Sequence, residues 1–164
     1  MRKLLLWLTL LFAPLITHAQ QLGERVYPEL RLDDVARAIA RAEGFYRKGT
    51  IPNRYHNPGD LKAVRGFKLP GQKGVGKGRH IIFRTDADGW AALRRQLQLV
   101  LDGRSKHYTA DMNFNQISRK YAQNWRSWAK QVTHVLGVSG TVTLREYIGR
   151  PEPSIELAEL CAIY

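Results

Sequence analysis

The sequence predicts an α+β fold that is mainly helical and carries one small β-hairpin element. Apolar residues recur at three- and four-residue spacing over several stretches, which is the period of a helix with one buried face. Residues 49–78 are instead rich in Gly, Pro, Asn and Lys, which excludes one long helix there. Short extended runs at 61–64 and 80–85 predict the two strands. The glycine-rich segment between them is typical of a hairpin tip or a mobile lid.

The first helix is predicted by an apolar stripe that runs toward a glycine. The stripe consists of Val35, Ile39 and Ala42. Asp33 or Asp34 is expected to cap the start of this helix, and Gly44 is expected to end it. Glu43 then lies at the rim of the stripe, at the end of the helix.

Two further helical stretches follow the β element. Thr85 or Asp86 is expected to cap a helix that ends at Gly103 and buries four apolar residues. These are Trp90, Leu93, Leu97 and Val100. Residues 115–137 form the next stretch, with a break near Asn124 that divides it into two helices and a glycine at its end.

The C-terminal part predicts two short helices. Thr143 followed by Glu146 is typical of a capping box, and residues 154–161 show a last helical pattern. Cys161 is the only cysteine, so the chain is expected to fold without an internal disulfide. The element order is therefore one helix, a small β element and then four or five helices.

The N-terminus has the pattern of a secretory signal peptide. Arg2 and Lys3 precede an apolar run at residues 4–16, and Ala19 offers a cleavage site. The run is shorter than the ~20 residues of a spanning helix, so we expect no stable membrane anchor after cleavage. An uncleaved anchor is the alternative. The prediction is an exported protein, periplasmic or secreted, with residues 20–164 as a single domain.

The chain is strongly basic. Its 26 Lys and Arg residues against 14 Asp and Glu give a net charge of +12, which falls to +10 when Arg2 and Lys3 leave with the signal. Outside the cytoplasm such a charge favours the acidic cell wall, anionic lipid or lipopolysaccharide. Nucleic acid would suit the charge alone but not the export signal. The histidines show no paired ligand spacing, so no metal and no cofactor are expected.

Glu43 has two interpretations when its neighbours are considered alone. A carboxyl that is half sheltered by apolar residues has a raised pKa and can keep a proton to donate to a leaving oxygen. Alternatively, Arg47 lies one helical turn further on, and an ordinary surface ion pair between the two would lower the pKa of Glu43.

Five segments taken together resemble the lysozyme-like superfamily, specifically the small lytic transglycosylase and muramidase type domains of bacteria and phages. They are AIARAEGFY, NRYHNPGDL, IIFRTDADGWAAL, ISRKYAQNW and VTHVLGV, and the match runs over residues 35–138. In that family the helix-terminal Glu before Gly or Ser is the catalytic acid, and the NPG(N/D)L loop lines the cleft. An aromatic residue from a later helix faces the acid.

The resemblance implies a role for five residues. Glu43 would be the general acid and then the general base, and Tyr121 the facing aromatic. Tyr55 and Asn57 would hold an N-acetyl or hydroxyl group of the substrate. Asp60 stands where family loops usually have Asn, and it is the carboxylate that could activate water if the enzyme is a hydrolase. The GLMQ signature of commoner transglycosylases is absent.

The activity implied is cleavage of the β-1,4 bond between MurNAc and GlcNAc in peptidoglycan. One catalytic Glu favours lytic transglycosylation, which forms 1,6-anhydroMurNAc and needs no second carboxylate. A muramidase of the same fold is the alternative. A third is a non-catalytic protein that binds peptidoglycan through its basic, Trp-containing surface. The implied partners are glycan strands and an envelope-spanning assembly for which the wall is opened.

Overall fold

A computed structural model describes residues 31–149 of the chain, and it shows an α+β fold that is mainly helical, as predicted. The elements in chain order are α1 (31–42), α2 (Ile51–Arg54), β1 (Gln72–Val75), a 3-10 turn (Lys77–Arg79), β2 (Ile81–Phe83), α3 (Asp86–Leu101), α4 (Phe114–Tyr121), α5 (Trp125–Leu136) and α6 (Leu144–Ile148). The predicted signal peptide and the predicted helix at 154–161 lie outside the described residues. Between residues 31 and 149, no helix has both the length and the apolar content needed to cross a membrane.

The main core joins α1 to the helices that follow the β element. Val35 and Ile39 of α1 are buried in the same cluster as Leu93 of α3, Phe114 of α4 and Val132 of α5. Each such side chain contributes roughly 1.5–3 kcal/mol when it is removed from water. The apolar stripe that predicts α1 is therefore the face that fixes this helix, and its C-terminal residue, against the rest of the domain.

The end of α1 is set by glycine. Gly44 has a φ of +77°, the N–H of Phe45 donates to the carbonyl of Ala40, and the N–H of Gly44 donates to the carbonyl of Arg41. This is the Schellman arrangement that ends many helices, and it makes Glu43 the last residue of the helical turn. The prediction that Gly44 ends the helix is confirmed.

The predicted cap at the start of α1 is wrong. Residue 31 is already helical, so Asp33 and Asp34 lie inside the helix rather than before it. Their carboxylates form ion pairs instead, Asp33 with Arg94 of α3 and Asp34 with Arg37 one turn along α1.

The β element is a two-stranded antiparallel sheet in which β1 pairs with β2 and a register shift interrupts the pairing between Gln72 and Gly74. The strand predicted at 80–85 is confirmed in part as β2. The run predicted as a strand at 61–64 forms no continuous strand, although the N–H of Ile81 donates to the carbonyl of Leu61 and the N–H of Ala63 donates to the carbonyl of Arg79. Only an isolated bridge from Lys62 to His80 remains of it. β1 comes instead from the segment predicted to be a tip or lid, and its tip is the 3-10 turn.

The helices after the sheet largely follow their predicted signals. Thr85 caps α3 in a capping box with Asp88. The break between α4 and α5 lies at residues 122–124, as predicted, and Gly137 ends α5 with a φ of +62°. Thr143 and Glu146 form the predicted capping box of α6. The short helix α2 was not predicted; it is capped by Thr50 and lies in the stretch for which only extended runs were expected.

Candidate active site

Glu43 lies half-buried at the end of α1, and its carboxylate contacts a tryptophan from α5. The indole Nε1–H of Trp128 donates to Oε1 of Glu43 over 2.6 Å. Trp128 is only 5% exposed, so the contact lies at the edge of the main core. Within residues 31–149, no cation forms an ion pair with Glu43, and Arg47 instead lies over Gly44.

The surroundings of Glu43 keep its carboxyl protonated to an unusually high pH. The pKa of Glu43 is raised from 4.5 to about 7: burial raises it most, the hydrogen bond from Trp128 lowers it, and the charge of Asp60 raises it. A neutral Glu near pH 7 is the state that a general acid requires. The geometry therefore agrees with the sheltered interpretation of Glu43 and not with the surface ion pair.

The loop at residues 55–61 approaches the site from the β element, and Asn57 is the residue that fixes its shape. The side chain of Asn57 is fully buried. Its Nδ2 donates to the carbonyls of Leu61 and Ile81 at 2.9 and 3.0 Å, and its Oδ1 accepts from the N–H of Leu61 at 2.8 Å. The prediction that Asn57 holds a substrate group does not match this geometry, because every side-chain group is already bonded to backbone and none is exposed.

Asp60 lies on the same loop in a left-handed conformation, with a φ of +47°. Its Oδ1 lies 2.6 Å from Nδ1 of His80, although their alignment is poor for a hydrogen bond. Burial raises the pKa of Asp60, while His80 and Lys62 act in the opposite direction. Since its charge also raises the pKa of Glu43, Asp60 lies within electrostatic reach of the candidate acid.

Tyr121 joins the loop to the two helices behind Glu43. Its hydroxyl donates to the carbonyl of Gly59, and its ring lies 4.9 Å from that of Trp128, tilted by 34°. Burial raises the pKa of the Tyr121 phenol well above its ordinary value, and the carboxylates of Glu43 and Asp60 add to this effect. Tyr121 is thus close to the carboxylate, as the resemblance implies for the facing aromatic, and its hydroxyl is a donor at any physiological pH.

The contacts of Tyr55 are with the β-hairpin and not with Glu43. The Gly76 backbone at the hairpin tip packs directly on its ring, since a Cβ on Gly76 would come within 2.3 Å of it. The carbonyl of Tyr55 accepts from the N–H of Phe83 at 2.9 Å. Its position supports the β element, and its predicted contact with substrate stays a prediction.

Two adjoining depressions run along the surface between the loop and α3, and they share Leu61 and Gln96. One has a volume of about 100 Å³, is almost wholly apolar and reaches Ile39 and Tyr121 beside Glu43. The other has a volume of about 170 Å³ and extends under the exposed Phe67. Together they form a groove that begins at Ile39 and Tyr121 and leads along the β element.

Two residues of this site, Trp128 and His80, are not predicted from the sequence. Trp128 lies in the helical stretch predicted at 115–137, and the signal that could have identified it is its indole N–H, which usually finds a hydrogen-bond partner when buried. His80 was placed in a strand, and no local pattern relates it to Asp60. Both contacts depend on how distant segments pack.

Comparison with models of protein families, with curated proteins and with solved structures found no match. Residues 31–149 contain no cluster of His, Cys, Asp and Glu side chains that could hold a metal ion.

Proposed function

We propose that the protein is an exported peptidoglycan-cleaving enzyme with a lysozyme-like fold that acts on the β-1,4 bond between MurNAc and GlcNAc. The observation that supports this proposal is the state of Glu43. It is a half-buried carboxyl with a pKa of about 7, it follows the last residue of the first described helix, and it lies within electrostatic reach of Asp60 on the NPGD loop. A glycosidic oxygen needs a proton donor of this kind in order to leave.

The reaction we favour is lytic transglycosylation. Glu43 protonates the glycosidic oxygen, and the bond between that oxygen and C1 of the muramic residue breaks with its electron pair on the oxygen. The Glu43 carboxylate then takes the proton of the muramic 6-hydroxyl. At the same time the oxygen of that hydroxyl bonds to C1 and closes the anhydro ring. One carboxyl group serves both steps and is returned to its starting state.

The surroundings of Asp60 favour this reaction over hydrolysis. An inverting hydrolase needs a second carboxylate that is free to activate water, and a retaining one needs a carboxylate that attacks C1. Asp60 is within electrostatic reach of Glu43. However, its Oδ1 is buried against His80, and its side chain as a whole is only 22% exposed. Muramidase activity is the second candidate, because Asp60 is a carboxylate in the right half of the site.

A non-catalytic role in wall binding or assembly is the candidate from another class. The net charge of +12 over the whole chain supports adhesion to an acidic wall. Adhesion does not require a shielded carboxyl with a raised pKa, so it leaves the state of Glu43 unexplained.

The test is to incubate the exported form of the protein and its Glu43→Gln variant with purified sacculi and to analyse the soluble products by mass spectrometry. We expect 1,6-anhydro muropeptides from the wild type and none from the variant. Products with reducing ends would make the enzyme a hydrolase and assign the second role to Asp60. Equal binding of both proteins to sacculi, without soluble product under conditions in which a control enzyme works, would favour the adhesion role.

A further inference from the structure

We propose that Trp128 is a positioning residue that keeps the transferable proton of Glu43 on Oε2, leaving Oε1 as a fixed acceptor. The inference rests on the proposed role of Glu43 as acid and base. It adds a division of labour between the two carboxyl oxygens and names the group that imposes it.

The hydrogen bond from Trp128 makes the two carboxyl oxygens of Glu43 chemically different. An indole Nε1–H can only donate a hydrogen bond, whereas a protonated carboxyl has one carbonyl oxygen, which is the better acceptor, and one hydroxyl oxygen. With Trp128 donating to Oε1 over 2.6 Å, Oε1 takes the carbonyl part and the hydroxyl lies on Oε2. Oε2 is then the oxygen that gives its proton to the glycosidic oxygen and later accepts the proton of the 6-hydroxyl.

The same contact persists after the proton has left. A hydrogen bond to an ionised acceptor is about twice as strong as one between neutral groups. Trp128 therefore stabilises the Glu43 carboxylate while the glycosidic bond is broken, and it does so without changing its own protonation state. One donor thus serves the acid form and the base form of Glu43.

The indole is held in place from behind, which a positioning residue needs. Trp128 is buried in the core cluster with Val132 of the same helix. The ring of Tyr121 packs against it with centroids 4.9 Å apart, and the Tyr121 hydroxyl is bound to the carbonyl of Gly59. The direction of the N–H is therefore fixed by α4, α5 and the loop together.

The groups that face Glu43 from the surrounding elements act on its pKa in known directions. Asp60 approaches from the loop and raises the pKa, and burial raises it most; the Trp128 donor from α5 lowers it. Tyr121 from α4 is a neutral phenol, and Lys62 and His80 act on Asp60. Removing only the indole N–H should therefore raise the pKa of Glu43.

The experiment compares Trp128→Phe, which keeps an aromatic ring but loses the donor, with the matched control Trp125→Phe. Trp125 lies at the start of the same helix, its ring contacts the guanidinium groups of Arg119 and Arg126, and the hydrogen bond to Glu43 comes from Trp128. The pKa of Glu43 is read by NMR titration of protein labelled with ¹³C at Glu side chains, with Glu43→Gln to assign the signal. We expect a higher pKa in Trp128→Phe and no change in Trp125→Phe.

The turnover readout is the pH profile of peptidoglycan cleavage. In Trp128→Phe we expect its alkaline limb to move to higher pH and the maximal rate to fall about tenfold, since a misdirected acid forfeits part of the 10²–10⁴-fold gain of proton transfer. A purely structural role for Trp128 would lower the rate without moving the limb. An unchanged Glu43 pKa together with an unchanged profile would overturn the inference.

A readout in the wild type covers the case in which Trp128→Phe does not fold. The indole N–H resonance of Trp128 should titrate with the midpoint of Glu43, near pH 7, and this titration should vanish in Glu43→Gln. An indole resonance that does not respond to Glu43 would also overturn the inference. Because the NMR measurements need no turnover, they separate a failure of this inference from a failure of the proposed function.

Discussion

Trp128 donates a hydrogen bond to Glu43 across 85 residues of sequence, and the contact joins the end of α1 to the first turn of α5. Both residues lie beside the core that packs these helices together. The candidate acid is therefore positioned by the main core rather than by a flexible surface loop. The loop that carries Asp60 reaches the same point from the β element, and Tyr121 ties it down.

The charge of Asp60 should set the pH range of activity through Glu43. Asp60→Asn removes a negative charge that raises the pKa of Glu43. With a lower pKa, Glu43 loses its proton at lower pH, so the alkaline limb of the cleavage profile should move toward acid. Asn tolerates the left-handed backbone at this position, where φ is +47°, so the fold should be retained.

The control for Asp60 is Asp86→Asn, which removes a carboxylate that pairs with His56 at the surface. It should leave the profile in place. Complete loss of cleavage in Asp60→Asn at every pH, with the fold intact, would contradict the single-carboxylate mechanism and indicate a hydrolase.

Burial of Glu43 should cost stability at high pH. The pKa of Glu43 is raised on folding from 4.5 to about 7. Its contribution to the free energy of unfolding is therefore fully present below pH 4.5 and is lost as the pH rises through 7. At about 1.4 kcal/mol per pKa unit, the loss reaches up to about 3 kcal/mol by pH 9. Glu43→Gln should therefore increase the free energy of unfolding at pH 9.

Denaturant unfolding of wild type and Glu43→Gln at pH 4 and pH 9 measures this effect. The gain from the substitution should be largest at pH 9 and should disappear near pH 4. A variant that is less stable than wild type at pH 9 would mean that the Glu43 carboxylate is stabilised by the fold.

Asn57 should act through the fold rather than through substrate contacts. Asn57→Asp keeps the shape and the acceptor of the side chain but removes both bonds that Nδ2 donates to the carbonyls of Leu61 and Ile81. Leaving two buried acceptors unsatisfied should destabilise the protein by about 2–4 kcal/mol. Thermal unfolding measures the loss, and cleavage per folded molecule well below the transition should stay within about threefold of wild type. A stable variant that no longer binds glycan would contradict this prediction and show that Asn57 contacts substrate.

Gly89 allows α3 to pack against the loop that leads to Asn57. A Cβ at this position would come within 1.9 Å of the carbonyl oxygen of His56 and 2.7 Å of Pro58. Gly89→Ala should destabilise the protein by about 3 kcal/mol, despite the roughly 1 kcal/mol by which alanine favours a helix. Gly74→Ala is the matched control, since nothing lies within 4 Å of a Cβ there. Calorimetric melting of both variants tests the difference, and equal melting temperatures would show that the loop can move away without cost.

Much of the helical architecture could be predicted because its signals are local. Gly44 ends α1, Thr85 and Thr143 begin α3 and α6, and Gly137 ends α5, each through hydrogen bonds within a few residues of the chain. The cap assigned to Asp33 or Asp34 failed because a carboxylate inside a first turn and one before it look alike in sequence. The two aspartates instead pair with arginines, Asp33 with Arg94 and Asp34 with Arg37.

The strands were harder to predict because pairing is not local. The segment 61–64 has the composition of a strand, but it forms no continuous strand and keeps one isolated bridge, from Lys62 to His80. The glycine-rich segment instead supplies β1, which pairs antiparallel with β2 across a register shift between Gln72 and Gly74.

By itself, the sequence determined the helical fold class, the basic charge and the helix end that presents Glu43. All of these follow from composition, periodicity and short-range hydrogen bonding. Only the tertiary structure decided the state of the site. Trp128 donates to Glu43, the side chain of Asn57 is hydrogen-bonded to the backbone of its own loop, and Asp60 pairs with His80. The pKa of a carboxyl depends on which groups surround it within a few ångströms, and packing brings those groups from every part of the chain.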